Sequence, residues 1–270
     1  SDRQLSRYLA ENMAAKYFCG FSINEKTPGH SLFGQIREKI GTSRLSKIFE
    51  QVRAQLKSQG VIKEIFTFVD ASSLISKLST WEERDRAIKE GEESLNNELI
   101  ERHNKKTKAS HNKNKKTLFF DKDARYGSKS KTKFWFGYKR NASVDMQSGL
   151  INKIAITHAN VGDDKAVKHI LPDSGAVFAD KGYCTAASIT QIKKKGLHDC
   201  TIKKANMKCK NKDKDQWISK MRSPYEGTFS RMNKRTRYSG IRKNQFAEIM
   251  HAFSFNLKRL VVINAQPLAF

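Results

Sequence analysis

The sequence predicts an α/β protein, a mixed sheet flanked by helices and preceded by a small all-helical N-terminal domain. Three patterns carry that prediction. Two short apolar runs, Ile65-Phe66-Thr67-Phe68-Val69 and Ala176-Val177-Phe178-Ala179, read as buried strands, and each ends on an aspartate, Asp70 and Asp180. Two β-rich runs either side of Met146-Gln147-Ser148-Gly149 read as a hairpin. Apolar residues at helical spacing dominate both ends of the chain.

The first sixty residues are predicted helical. Leu5, Leu9, Met13 and Ala14 recur at helical spacing, and Tyr17-Phe18 extend the apolar face. After a turn at Pro28-Gly29, Ser31 caps a helix bearing Leu32, Phe33, Ile36 and Ile40, with Gly41 as its stop. Thr42 caps the next, which carries Leu45, Ile48, Phe49 and Val52. Helix, short turn, helix, with Arg37, Lys39, Arg44 and Lys47 on the polar side, suits a helix-turn-helix and equally a plain helical bundle.

The strand ending at Asp70 follows. A charged, acidic-leaning stretch over 81–101 reads as a solvated helix. The Lys- and Asn-rich stretch 105–116 reads as a linker or as a phosphate-contacting arm. Strands return with Leu118-Phe119-Phe120, with Phe134 to Asp145 and with Leu150 to Ile156. A helix from Asp163 to Leu171, the strand ending at Asp180, a helix from Ala186 to Lys195 stopped by Gly196, and a strand at His198 to Ile202 complete the sheet region. Gln216 to Val262 is predicted helical, with Pro224 in the first turn of a helix. The domain reading is therefore 1–60, a helical DNA-binding or dimerisation region, and 61–265, a catalytic domain with a charged insertion at 80–117.

Charge bounds the partner. The chain has 270 residues, with 52 Lys and Arg against 27 Asp and Glu, a net charge of +25. A polyanion is the natural ligand, because each neutralised phosphate releases condensed counterions. At 38% hydrophobic the chain can bury a sizeable core. Nothing approaches the roughly 18 unbroken apolar residues of a membrane span, and a cytoplasmic, nucleoid-associated location is expected. Cys19, Cys184, Cys200 and Cys209 form no CxxC pair, which favours reduced thiols over a zinc set. The chain opens on Ser1 rather than Met, read as a sign of missing upstream sequence.

An aspartate closing a buried strand is commonly a turn or cap residue. Two such strands in a strongly basic protein suggest instead a site for metal-dependent phosphoryl chemistry. That chemistry needs about three carboxylates around two ions roughly 3.5–4 Å apart. Asp70 and Asp180 supply two, and Glu226 is the best third. It lies in Arg222-Ser223-Pro224-Tyr225-Glu226-Gly227, within reach of Arg222, Arg231, Lys234, Arg235 and Arg237. A surface glutamate paired with arginine and an active-site acid among phosphate-holding cations are equal readings of that spacing.

The segments Val69-Asp70-Ala71-Ser72, Asp123-Ala124-Arg125-Tyr126-Gly127, Phe136-Gly137-Tyr138-Lys139, Val144-Asp145, Thr157-His158-Ala159-Asn160-Val161 and Ala179-Asp180-Lys181-Gly182-Tyr183 occur in this order. With Arg222, Glu226 and the closing Phe255-Asn256-Leu257-Lys258-Arg259-Leu260, they resemble the DDE transposases of bacterial IS5-type insertion sequences. The resemblance implies a ribonuclease-H-like catalytic fold, with Asp70, Asp180 and Glu226 as catalytic, metal-holding triad and Mg²⁺ or Mn²⁺ as cofactor. It also implies double-stranded DNA as substrate (terminal inverted repeats and target) and a homodimer or larger synaptic assembly. Around the third acid the family repeats Tyr, Arg, Glu and Lys. This chain keeps Arg222 and Glu226 but has Ser219 in place of the Tyr and Asn233 in place of the Lys, with Lys234 next. Arg222, Lys181, Lys234, Arg231, Arg37 and Arg44 are the expected DNA contacts.

Other groups point less clearly to chemistry. Asp121 and Asp123 read as loop residues, His158 lacks metal-ligand spacing, and Ser72 and Ser73 have no partnered His. Tyr183 lacks the Arg and His companions of a recombinase nucleophile, and Phe134 and Trp135 read as core. Two alternatives stand beside the transposase: a metal-dependent nuclease without strand transfer, and a non-catalytic DNA-binding remnant.

Overall fold

A computed structural model describes residues 1–76, 89, 93, 121–130, 133–205, 207, 210–230 and 232–265. The expected solvated helix over 81–101, the Lys- and Asn-rich stretch 105–116, the Leu118-Phe119-Phe120 strand, Cys209 and Arg231 lie outside these residues, Lys89 and Glu93 excepted. Two compact units divide the chain, Ser1–Ile48 and Phe49–Phe270.

The first unit is helical. Helix α1 (Asp2–Glu11) starts in a capping box, in which the Ser1 hydroxyl and the Gln4 side chain satisfy each other's backbone N–H. Asn12 ends it and caps α2 (Met13–Phe18), its Oδ1 accepting Ala15 N–H at 2.9 Å. Helix α3 (His30–Ser58) is interrupted where the sequence places a stop: Gly41 sits at φ 65°, ψ 165°. A side chain is strained in that region, so glycine sets the break. Arg37, an expected DNA contact, pairs with Asp2 within this unit.

The second unit is built on a six-stranded sheet. Its strands are β1 (Phe66–Ile75), β2 (Arg125–Ser130), β3 (Lys133–Asp145), β4 (Ile151–His158), β5 (Ala176–Ala179) and β6 (His198–Thr201). The order is β2-β3-β1-β5-β6, with β4 also paired to β3. β1, β5 and β6 run parallel, while β2, β3 and β4 pair antiparallel around them. This is the mixed sheet the apolar runs predict, and its order is that of a ribonuclease-H-like fold. The predicted hairpin is β3 and β4, joined at residues 146–149. β2 has no apolar run, so it escaped the pattern search; it pairs with the start of β3 through Tyr126 and Phe136, whose rings lie 5.0 Å apart.

Side chains of β1 and β5 alternate between two cores. Val69, Val177 and Ala179 pack with Val167, Ile170, Leu171, Ile192 and Leu197. Val167 opens the 3₁₀ turn Val167–His169 that follows helix α4 (Asp163–Ala166), Ile170 and Leu171 come just after that turn, Ile192 lies in helix α5 (Ala186–Lys194) and Leu197 just beyond it. The sequence predicts one helix from Asp163 to Leu171, but only its first four residues are α-helical. On the opposite face, Phe66 and Phe68 pack edge-on and tilted against Phe178 and Tyr225, and Trp217 covers Phe178 at 5.6 Å. Tyr225 and Trp217 belong to helix α6 (Lys212–Ser230). Pro224 lies inside that helix rather than in its first turn, because the helix begins earlier than the apolar spacing shows. Lacking an N–H, Pro224 leaves the Lys220 carbonyl without its helical donor.

Helix α7 (Ile241–Ala265) closes the unit against β4, where Asn256 exchanges two 2.8 Å hydrogen bonds with the Ile151 backbone. The end of α3 docks through Phe49, edge-on to Phe253 at 5.0 Å, and through Leu56, Ile62 and Leu150. Beneath it lies the fully buried Glu64 carboxylate, which accepts from Arg53 at 2.9 Å, Lys57 at 2.6 Å and Asn152 at 2.7 Å.

Candidate active site

β1 and β5 bring two aspartates level. Phe66 pairs with Ala176 and Phe68 with Phe178. Counting two residues further along each strand places Asp70 opposite Asp180. In a strand, residues two apart share a face. Asp70 therefore lies on the face of Phe68, the face that α6 covers, and Asp180 follows Phe178 in the same way.

This juxtaposition has an electrostatic cost. Burial pushes the Asp70 carboxyl up to about 6, and the charge of Asp180 adds to the effect. The Ala71 backbone N–H and the charges of Arg222 and Lys129 pull the other way without cancelling it. Asp180 Oδ1 accepts the Gly182 N–H at 2.8 Å, so Asp180 also takes the turn role that an isolated strand-end aspartate would have. Gly182 matters here for space: a Cβ at this residue would lie 2.9 Å from Asp180 Oδ1 and 3.7 Å from Asp163 Oδ2.

Asp163 is thus the third acid beside the pair. Read from sequence as a helix start, it is that, and it is also gripped by Lys139, whose Nζ donates to Asp163 Oδ1 and to the Val161 carbonyl, both at 2.8 Å. Tyr183 packs with Val69, Val177 and Ala179, and its buried hydroxyl has no hydrogen-bond partner. In the sequence Asp163 and Asp164 signal only a helix start, so the position of Asp163 beside Asp180 is a feature of the fold alone.

Glu226 and Arg222 come from α6. Arg222 is buried, with its guanidinium 5.4 Å from the centre of the Phe68 ring and its Nε without a hydrogen-bond partner. Its Nη2 lies 3.7 Å from Glu226 Oε1, and the Glu226 side chain is 58% exposed. Among the described residues, no three His, Cys, Asp or Glu side chains converge closely enough to hold a metal ion. Asp70 and Asp180 form the pair; Glu226 sits on the helix covering their face, one turn beyond Arg222.

The donor set nevertheless suits a hard divalent cation. Mg²⁺ takes oxygen ligands, keeps several waters and needs only one or two carboxylates besides substrate phosphates. Two level carboxylates, beside a glycine with no side chain to crowd Asp180 Oδ1, fit such an ion.

The remaining cations scatter. Lys181 is exposed directly after Asp180, and Arg44 is exposed in α3. Lys234 is exposed, and its carbonyl accepts Ile75 N–H at 2.8 Å, which fixes the segment after α6 to the end of β1. Asp121 and Asp123 are structural. Buried Asp121 accepts from Ser76 at 2.8 Å and Tyr138 at 2.7 Å, and Asp123 caps α7 through Ile241 N–H at 3.0 Å. Trp135 is buried, and Cys19, Cys184 and Cys200 are free thiols.

Sequence comparison agrees with this architecture. Residues 100–262 match the transposase DDE domain family, and residues 1–39 match a second transposase domain family, DUF772. Over 129 residues the chain is 31% identical to the transposase for insertion sequence element IS1106 of Neisseria meningitidis serogroup B. That alignment covers 44% of this chain and 43% of the relative, so less than half of either is compared. With well over half of its length matched, the chain belongs to the transposase DDE domain family.

Proposed function

We propose that this protein is the DNA transposase of an insertion sequence, binding the terminal inverted repeats of its element and catalysing strand cleavage and strand transfer. The observation that carries the reading is the level placement of Asp70, in β1, with Asp180, the residue that follows the adjacent parallel strand β5, under a helix bearing Arg222 and Glu226. The net charge of +25 supplies the attraction for DNA. No described helix is long and apolar enough to cross a membrane.

In this reading Asp70 and Asp180 hold Mg²⁺ or Mn²⁺, and Glu226 adds a carboxylate from α6. When bound, the ions supply Lewis acidity toward the attacking and leaving oxygens. Water attacks the phosphorus at the transposon end, the bond to the 3′ oxygen breaks, and that oxygen leaves as a 3′ hydroxyl. The hydroxyl then attacks a target phosphodiester, displacing its 3′ oxygen, with no covalent bond to protein. In the same reading Arg222 holds a phosphate oxygen, and exposed Lys181 and Lys234 contact the DNA backbone. Arg44 and the helices of the first unit contribute DNA contact or pairing between two copies, as synapsis of two ends requires.

The test uses a labelled duplex carrying the element's end, with Mg²⁺ or EDTA, beside Asp180→Ala. Cleavage at the boundary that is lost with EDTA and in the variant supports the reading. A second reading, a DNA-binding remnant, draws on the exposed position of Glu226 and on Asn233 at the family's lysine position. It predicts DNA binding that survives EDTA and no cleavage in any metal.

A further inference from the structure

Cations that serve the fold of the second unit are paired. Arg53, Lys57, Lys139, Arg140 and Lys153 all bind carboxylates. The segment that joins α6 to α7 departs from this. From Gly227 to Ala247 the sequence holds six cations and no acid. Lys234, Arg235, Arg237 and Lys243 are exposed and form no ion pair among the described residues. Like charges this close in the chain repel one another, and an anionic partner relieves that repulsion.

The segment is nevertheless held in place, through its backbone. Arg235 pairs as a strand residue with Ile75, at the end of the strand that carries Asp70. Ile75 N–H donates to the Lys234 carbonyl at 2.8 Å, and Thr236 N–H to the Ile75 carbonyl at 2.9 Å. Gly240 N–H donates to Asp121 Oδ1 at 3.1 Å, and Asn244 Nδ2 to the Tyr238 and Gly240 carbonyls at 3.1 and 2.8 Å. Thr236 is buried while Arg235 and Arg237 on either side of it are exposed, the alternation of an extended edge with a cationic outer face. Arg237 lies over the Tyr238 ring at 5.5 Å. At the start of α7 the charges oppose what a helix favours: its first turn has no acid, yet Arg242 and Lys243 stand at the positive end of the dipole. The segment begins beside the candidate site, since Arg140 donates both to Ser72 and to the Asn233 carbonyl.

We propose that this segment is a phosphate track for DNA, in which Arg235, Arg237 and Lys243 join Lys234 to hold the sugar-phosphate backbone of a duplex where it runs past the end of β1. The proposal rests on the transposase reading given above. A strip of cations fixed by its own backbone hydrogen bonds loses little freedom on binding, and it suits a partner whose charges repeat at regular spacing. Contacts to phosphate position a duplex without reading its bases. The track therefore serves the element's end and unrelated DNA alike.

The experiment measures fluorescence anisotropy of two labelled duplexes, the element's end and an unrelated sequence, over a series of salt concentrations in EDTA. It compares the full chain with the pair Arg235→Ala, Arg237→Ala, with the pair Arg235→Gln, Arg237→Gln, and with Lys243→Ala. The control pair is Lys193→Ala, Lys194→Ala, which removes two exposed charges from the last turn of α5, at the opposite end of β5 and β6 from Asp180. Each arginine pair should reduce the slope of log affinity against log salt by about 2, and Lys243→Ala by about 1, on both duplexes. The glutamine pair keeps longer side chains on the same backbone, so an equal loss from both pairs assigns the effect to charge. Melting temperatures should match wild type, because the segment is anchored by backbone groups that the variants keep. The control pair should leave the slope unchanged. An unchanged slope in the arginine pairs, or an equal loss in the control, overturns the track and leaves the transposase reading standing. A loss confined to the element's end overturns the phosphate assignment in favour of base contacts. A wild-type chain that binds neither duplex overturns both the track and the reading beneath it.

Discussion

Arg140 Nε lies 2.5 Å from Glu248 Oε2, and the two side chains are almost wholly buried, at 1% and 2% exposure. The pair joins β3 to α7, and Arg140 reaches further. Its Nη1 donates to Ser72, two residues past Asp70, and its Nη2 to the Asn233 carbonyl at 2.8 Å, seven residues past Glu226. One guanidinium thereby ties together the strand and the loop that flank the candidate site. Removing one partner of a buried pair strands the other charge, so Arg140→Met is expected to cost about 3–5 kcal/mol in urea denaturation. The double variant Arg140→Met, Glu248→Met should lose less than the two single changes added together.

Glu64 gives the fold an acid sensitivity. Burial pushes its carboxyl up, but hydrogen bonds from Lys57, Asn152 and the Asp173 backbone outweigh that, and the net shift is downward. A carboxyl whose folded pKa lies below its unfolded value stabilises above the unfolded value, about 4.3, and loses that contribution as pH falls through the folded one. Asp173, likewise lowered by Lys153 and Arg53 against its burial, acts with the same sign. Glu64→Gln is expected to unfold at lower urea concentration at pH 7, with a shallower loss of stability between about pH 5 and 2.

Gly182→Ala probes the site with little effect on the fold. The new Cβ would stand 2.9 Å from Asp180 Oδ1, and the carboxylate must shift to clear it. Cleavage of a labelled transposon end is expected to fall about ten- to a hundredfold, since small misplacements of a reacting group cost that much. The melting temperature should barely change.

Glu226→Gln separates a working acid from a surface one. Its side chain is 58% exposed and touches Arg222 only at 3.7 Å, so stability should stay within about 0.5 kcal/mol of wild type. If Glu226 completes the site, cleavage is nevertheless lost. Undiminished cleavage would assign Glu226 to the surface.

Lys181→Ala and Lys234→Ala test the phosphate contacts. Each should weaken binding to unrelated duplexes and to the element's end alike, and reduce the slope of log affinity against log salt by about 1. An unchanged slope would remove that lysine from the interface.

The sheet was legible because Thr67 to Val69 and all of β5 are buried and read as apolar runs up to Asp70 and Asp180; β1 does not end at Asp70, as its sequence suggests, but continues to Ile75, because Ala71 to Ile75 pair with β3. The Gly41 break and the β3–β4 hairpin were legible from turn chemistry. β2 was not, since Arg125 to Ser130 is mostly polar and becomes a strand only by pairing with β3. The burial of Arg140 and Glu64 leaves no local trace in the sequence, because their partners stand 108 and 11 residues away in the chain. The pairing of Arg37 with Asp2, 35 residues away, leaves no local trace either. The level placement of Asp70 and Asp180 could be expected from two apolar runs that each stop at an aspartate, while the approach of Asp163 to Asp180 could not.

The most direct measurement is anomalous diffraction from crystals of the protein soaked in Mn²⁺ with a duplex transposon end. A Mn²⁺ peak within bonding distance of both the Asp70 and Asp180 carboxylates is the result predicted here. Mn²⁺ bound elsewhere, with those two carboxylates unligated beside the DNA, would contradict it.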